Sequence, residues 1–428
     1  MTPPLPRLCN SRSTPSWSRL ARRWRLAFFL AILSGSIFAF SGPVDAQPMS
    51  RAQARERANM LAALGAELFS DPQLSNSGKS ACASCHDPAH AFAPANALSV
   101  QLGGRDLAYP GLRAVPSLKY LQAVPQFTEH YFESEDEADE SVDNGPTGGL
   151  TWDGRADSAR AQARIPLLSP FEMGNASPDE VVRHALDGGY GPKLAAIYGK
   201  SLLANRNATF EAVLKALEVY QQSWQTFYPY SSKYDAWLAG KVELTPEEEH
   251  GRKLFEDPEK GNCASCHFSV RANDGTPPQF TDYGMIALAV PRNPAIPANA
   301  DPAFYDLGLC GPLRTNFLGR PDYCGLFRTP TLRNVATRRA FFHNGVFHTL
   351  KDAVAFYATR DTDPGRWYPR RADGSVEIYD DLPARYRDNI NMDPPFGGKQ
   401  GDAPRLDDGE IDAIVTFLNT LTDGWKAR

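Results

Sequence analysis

Two copies of one short motif constrain this chain more than anything else in it: Cys82-Ala83-Ser84-Cys85-His86 and Cys263-Ala264-Ser265-Cys266-His267. A C-x-x-C-H run is the attachment site of a c-type haem. Its two thiols form thioethers with the vinyl groups, and the histidine that follows takes one face of the iron. A single helical turn sets both sulfurs on one porphyrin edge and brings the imidazole under the metal. Alone, a C-x-x-C pair also reads as a zinc half-site or a redox disulfide. A histidine directly after both pairs favours two covalent haems, one on Cys82, Cys85 and His86 and one on Cys263, Cys266 and His267.

The setting repeats with the motif. Residues 65–72 and 251–258 both read G-x-x-L-F-x-D-P, so one domain type occurs twice. Thr245-Pro246-Glu247-Glu248 is a capping box with proline at the first helical position, and it starts the helix into the second motif. Ser177-Pro178-Asp179-Glu180 reads the same way. Asp407 with Glu410 opens a last helix that buries Ile411, Ile414, Leu418 and Leu421. Phe210, Val213, Leu214, Leu217, Tyr220 and Trp224 recur at helical spacing and read as core. Long Pro/Gly-rich loops at 92–117, 270–330 and 361–405 separate these elements, and alternating strand patterns are scarce. The expected fold is mainly α: two cytochrome c-like haem domains, 47–240 and 241–428, with long loops and little regular β-structure.

Residues 1–46 stand apart. Arg19, Arg22, Arg23 and Arg25 precede an apolar run from Leu26 to Phe40 and then Val44-Asp45-Ala46. That is the pattern of a cleaved secretory signal, so the mature chain is expected to start near Gln47 and to lie in the periplasm. The apolar run is short for a membrane span, and no stable span is expected after cleavage. Loss of six Arg and one Asp takes the formal charge from -5 to -10. Nucleic acid is then a poor partner, and a basic or neutral protein a better one. Cys9 leaves with the signal and four cysteines hold haem, which leaves Cys310 and Cys324 across a loop containing Gly and Pro. An oxidising compartment favours a disulfide between them, the alternative being two buried thiols. Residues 133–143 carry seven carboxylates; such a run reads as a solvated loop or as a docking site for a partner or a cation.

Thr151-Trp152-Asp153-Gly154-Arg155-Ala156 is followed by Gln162, Pro166 and Glu172 at ten, fourteen and twenty residues from the tryptophan. This stretch resembles the bacterial di-haem cytochrome c peroxidases and their relative MauG. A second signature, Phe327-Arg328-Thr329-Pro330-Thr331-Leu332-Arg333-Asn334-Val335 and then Phe342-His343-Asn344-Gly345, comes in family order, and the resemblance covers essentially all of 50–425. It implies that Glu172 and Gln162 lie over the open face of the first haem, that Pro166 lines the same site, and that Trp152 lies between the haems. Splitting H2O2 requires a proton to move from one peroxide oxygen to the other. A carboxylate over the iron can be that acid–base group, with an amide to orient the peroxide. Many of these peroxidases close the first iron with a loop histidine beyond the proximal one. Ser99-Val100-Gln101-Leu102-Gly103 contains none, and His90 reads as a loop residue. The first haem is therefore expected to be open in the resting ferric state.

On the second haem the peroxidases use a methionine. The matching position, twenty-seven residues after Pro330, is Tyr357, and MauG resembles this chain there with an axial tyrosine. A thioether favours Fe(II), whereas a phenol oxygen favours ferric and higher-valent iron. The alternative is a packed Tyr357 with Met285 or Met392 as the ligand. Family members also bind calcium between the domains through an Asn side chain and backbone oxygens. The matching positions are Ala114, Arg338 and Ala340, which argues against calcium here. In MauG a surface tryptophan two residues before the second motif passes oxidising equivalents to a protein substrate. Gly261 stands there in this chain, leaving Trp224, Trp237, Trp367 and Trp425 as exit candidates, although most tryptophans are simply core.

The resemblance thus implies a periplasmic MauG-like oxidoreductase. H2O2 would bring the haem pair to a high-valent state shared through Trp152, which withdraws electrons from a Trp or Tyr on a secreted partner protein. Gly149–Arg155 and Leu309–Pro312 resemble the MbnH-like group, whose members oxidise a tryptophan on a copper-binding partner. One alternative is a peroxidase drawing electrons from a small cytochrome c, but the methionine and the gating histidine it needs are missing. The other is a di-haem electron-transfer protein without catalysis, which leaves Glu172 and Gln162 unexplained.

Overall fold

A computed structural model describes residues 49–131 and 145–427; the expected signal segment with Cys9 and the acidic run 133–143 lie outside them. The described chain is mainly helical. Its first half holds α1 (Arg51–Ser70), α2 (Cys82–Cys85), α3 (Ala159–Leu168), α4 (Pro178–Asp187), α5 (Gly191–Tyr198), α6 (Arg206–Gln221) and α7 (Trp224–Phe227). Then come α8 (Lys233–Leu238), α9 (Pro246–Glu256), α10 (Leu350–Thr359) and α11 (Asp408–Asn419). Sheet is confined to two antiparallel two-residue pairs, β1 (Leu102–Gly103) with β2 (Tyr109–Pro110) and β3 (Met285–Ile286) with β4 (Phe327–Arg328).

One packing unit appears twice, as α1 against α6 and as α9 against α11. The glycine of G-x-x-L-F-x-D-P explains how close these pairs come. A Cβ on Gly65 would lie 2.0 Å from the carbonyl oxygen of Ala216, and one on Gly251 would lie 1.9 Å from that of Ala413. Leu68, Phe69, Leu254 and Phe255, from the L-F of each repeat, are buried. Asp71 and Asp257 end the helices by accepting the backbone N–H of Gln73 and Glu259 at 2.8 and 2.9 Å. Gly65→Ala or Gly251→Ala should therefore cost at least ~1–3 kcal/mol through overpacking. Denaturant titration checks this, and a variant as stable as its parent would contradict the backbone contact.

Two main hydrophobic cores follow from these pairs. Leu64, Leu68, Val182, Leu194, Phe210 and Val213 lie in the first. Phe255, Phe280, Ala355, Ile414 and Phe417 lie in the second, where each fully buried Phe or Ile is worth roughly 1.5–3 kcal/mol. Tyr234 of α8, ahead of the expected division at residue 240, packs into the second core.

Thr245 and Asp407 both form complete capping boxes with Glu248 and Glu410. Ser177 forms half of one. Its hydroxyl accepts the Glu180 N–H, but the Glu180 carboxylate turns to the Ala176 N–H at 2.7 Å instead of closing the box. Trp224 corrects the periodic reading of its helix. The helix stops at Gln221, Ser223 precedes the short α7, and Phe227 takes the buried place while Trp224 is 56% exposed. The new turn is closed by the Ser223 backbone carbonyl, which accepts the Thr226 and Phe227 N–H groups at 3.0 and 2.9 Å, so the helical period does not carry through it.

Cys310 and Cys324 form a disulfide with fourteen residues of separation, beside a small core of Met285, Leu309, Phe317 and Leu326. Replacing both by Ser should lower stability by about 3 kcal/mol for a loop of this length. Denaturant midpoints of the two proteins test that, and no change would contradict a stabilising role.

Candidate active site: two cavities sharing a tryptophan

Each C-x-x-C-H motif opens into its own cavity. Cys82, Cys85 and His86 line one of about 190 Å³, together with Gln162, Pro166 and Glu172. Cys263, Cys266, His267 and Tyr357 line the other, of about 210 Å³. Trp152 lines both, as do Pro116, Ser117, Leu121 and Arg328.

The proximal sides are built alike. His86 Nδ1 lies 3.0 Å from the Phe92 carbonyl and His267 Nδ1 lies 2.9 Å from that of Phe280. The same two carbonyls accept the Leu118 and Leu332 N–H groups at 3.3 and 3.2 Å. Ser117 and Thr331 lock the crossing chains by donating to Ala91 O and Gln279 O, each at 2.6 Å. These contacts uncover a second internal repeat, Pro116-Ser117-Leu118-Lys119 against Pro330-Thr331-Leu332-Arg333, which sequence reading missed although P-[ST]-L-[KR] is visible in both. Burial pushes both imidazoles down, His86 to about 4. A neutral ring donating through Nδ1 leaves Nε2 as a lone pair, the form a metal takes.

Burial pushes the thiols up, to about 12 for Cys82 and Cys263 and about 11 for Cys85 and Cys266. Among the described residues no cluster of three His, Cys, Asp or Glu offers the remaining zinc ligands. A zinc half-site therefore lacks its complement there.

α3 carries Gln162 and Pro166 one turn apart, on the face toward the first cavity. Glu172 follows in the turn after α3, its N–H on Ser169 O and its carbonyl accepting the Gly104 N–H at 2.7 Å. Gly103 makes that approach possible, since a Cβ there would lie 2.6 Å from Glu172 O. Burial pushes the Glu172 carboxyl up to about 7, with the Arg155 charge opposing. The stretch 101–103 lines this cavity without a histidine, and among the described residues His86 is the only histidine in the lining. His90 is held by Asp87 at 2.9 Å in a turn and lines neither cavity.

Trp152 is clamped from several sides. Its indole N–H donates to Ala114 O at 2.7 Å, and its carbonyl accepts the Arg328 N–H at 2.8 Å. The next residue, Asp153, is buried at 2.8 Å from Arg113, and Arg113 also holds Asp306 at 2.6 Å. Burial alone would push Asp153 up, but Arg113 and Arg155 outweigh it and hold the carboxyl at about 2.

In the second cavity the Tyr357 ring lies between Phe342 and Phe396, at centroid distances of 5.7 and 5.3 Å. Its hydroxyl makes no hydrogen bond to another described residue, and burial, then Cys266 and Cys263, push it up. Met285 and Met392 line neither cavity: Met285 is buried in β3, and the exposed Met392 places its sulfur 3.3 Å from Arg360.

The di-haem cytochrome c peroxidase family matches residues 59–243. The methylamine utilization protein MauG of Paracoccus denitrificans is 34% identical over 383 residues, 87% of this chain and 90% of that protein. The chain belongs to the MauG and di-haem cytochrome c peroxidase family. Its fold is similar to that of the diheme peroxidase BthA from Burkholderia thailandensis, with a TM-score of 0.76 and 41% identity over 85% of this chain and 86% of that one. It is also similar to a MauG-like protein associated with microbial copper homeostasis, with a TM-score of 0.57 and 25% identity over 89% and 92% of the two chains. This family member is thus an oxidoreductase of a di-haem family.

The linings fit that cofactor. Besides thiols and neutral imidazoles, they contain Arg328 and Arg338, pushed down by burial to about 10 yet still charged at neutral pH. Neither has a carboxylate partner among the described residues. Buried charge of this kind calls for an anion, which the propionates of a haem supply.

Calcium, which the family resemblance also brings up, does not fit. Ala114 offers only a methyl group, and its carbonyl is occupied by Trp152. Arg338 donates to Val115 O at 3.3 Å and to Ala340 O at 3.0 Å. A divalent cation about 4 Å from this guanidinium would meet a repulsion of roughly 8 kcal/mol at an effective dielectric near 20.

Gly261 has no room for a larger residue: a Cβ would lie 2.6 Å from Leu254 O and 3.2 Å from Cys263 Sγ. Trp237 and Trp367 are half-buried in the aromatic clusters of the second core, Trp237 against Tyr234 and Trp367 against Phe347 and Phe356. No helix among the described residues is long and apolar enough to cross a membrane.

Proposed function

We propose that this chain is a periplasmic MauG-like enzyme that uses H2O2 to withdraw electrons from a Trp or Tyr on a secreted partner protein. One observation carries the reading. Among the described residues, Glu172 and Gln162 share a cavity with His86 that no second histidine lines, while Tyr357 and no methionine lines the other. When bound, through Cys82, Cys85 and His86 and through Cys263, Cys266, His267 and Tyr357, the two haems supply the iron that reacts with peroxide and stores its oxidising equivalents.

The chain's own residues manage protons and position. Glu172 takes a proton from one peroxide oxygen and returns it to the departing one, a task suited to a carboxyl near neutrality. Gln162 presents an amide to orient the peroxide, and Pro166 fills the wall one turn on. Trp152 spans the gap between the sites with its ring fixed by Ala114. The Tyr357 oxygen favours the oxidised form of the second site.

The copper-associated MauG-like relative suggests a copper-binding protein as the partner class. Mixing this enzyme and H2O2 with the secreted proteins made alongside it should give a peroxide-dependent mass change at a Trp or Tyr of one of them. The diheme peroxidase BthA supports a second reading, in which a small cytochrome c donates the electrons. Sustained oxidation of reduced cytochrome c, with no protein modified, would favour that reading over the first.

A further inference from the structure

Arg338 stands where two long-separated parts of the chain meet, and it crosses between them. One nitrogen donates to Val115 O, 223 residues away, and the other to Ala340 O in its own segment. The peptide beside Val115 is tied to the same place: Ala114 N–H donates to His343 O at 2.7 Å, and Ala114 O takes the Trp152 indole N–H at 2.7 Å. Arg338 therefore braces the peptide next to the one whose carbonyl fixes the ring lining both cavities. It lines the second cavity, and its charge is also felt at His86 in the first. No carboxylate among the described residues neutralises it.

We propose that Arg338 is a positioning residue that does internally what a bound metal ion would otherwise do, clamping Trp152 between the two haem sites without calcium. A guanidinium suits that task. It presents several N–H donors in a fixed plane, keeps its charge at neutral pH and cannot be chelated away. Its positive charge also stabilises an added electron at both sites, so removing it should lower their reduction potentials.

The inference rests on the two-haem reading, so haem content is measured first; fewer than two haems per chain would fail that reading and leave the calcium result standing. Purified holoprotein should contain no stoichiometric calcium by elemental analysis. EGTA followed by excess Ca2+ should leave its visible spectrum, both reduction potentials and its melting temperature unchanged. Arg338→Gln should lower the potentials and reduce the spectroscopic interaction between the haems, while Arg338→Lys, which keeps the charge, should restore the potentials more than the interaction. One calcium per chain, a potential shifted by EGTA, or an Arg338→Gln protein with parental potentials and spectra would each overturn the proposal. Should Arg338→Gln fail to fold, the calcium content and EGTA response of the parent protein still decide it.

Discussion

Replacing Glu172 by Gln should leave both haems attached and slow the reaction with peroxide by about 100- to 10,000-fold, the usual range for loss of a general acid–base group. Glutamine keeps the shape and loses the proton traffic. Glu172 lies in the turn after α3, far from either C-x-x-C-H motif in sequence, so haem attachment has no reason to fail. The pH profile gives an independent check. Burial pushes the carboxyl up to about 7. Below that pH it is protonated and cannot accept the first proton; above it the carboxylate is ready. The rate with peroxide should rise between about pH 6 and 8 and then level off, and Glu172→Gln should abolish that limb. Stopped-flow traces over this range measure both, and an unchanged rate would remove Glu172 from the mechanism.

Tyr357→Met should raise the reduction potential of the second haem by an amount on the order of tenths of a volt, since axial ligands span about 0.8 V. A thioether stabilises the reduced iron, and a phenol oxygen the oxidised one. The surroundings favour a clean comparison. Phe342 and Phe396 flank the ring, and the hydroxyl has no other described partner to lose. With the raised potential, the oxidised state formed by peroxide should also decay faster. Potentiometric titration followed in the visible range reads the first effect. If the potential does not move, the phenol is not on the iron.

Much of this site could be read from the chain because its parts are local or repeated. The C-x-x-C-H runs need only one turn of backbone, and G-x-x-L-F-x-D-P marks the helix pairs because no side chain larger than hydrogen fits where α1 meets α6 and α9 meets α11. Tyr357 and Glu172 were reached through family spacing, and both fall among the lining residues. What escaped was non-local. Arg113 looks like an ordinary surface cation until the fold buries it between Asp153 and Asp306, and family register puts Arg338 at the calcium position without revealing its bonds to Val115 and Ala340. Trp224 misled because periodicity cannot see that Ser223 starts a new turn. Glu180 misled because a capping box and a bond to the preceding Ala176 N–H share one sequence pattern.

If the first site is open to peroxide in the fully oxidised protein, and the second is held by Tyr357, no electron has to be supplied before the reaction. Rapid mixing of the oxidised holoprotein with one equivalent of H2O2, in the absence of any reductant, decides this. Peroxide should be consumed at once, with a new, long-lived visible spectrum. No reaction until one electron per molecule has been supplied would contradict it.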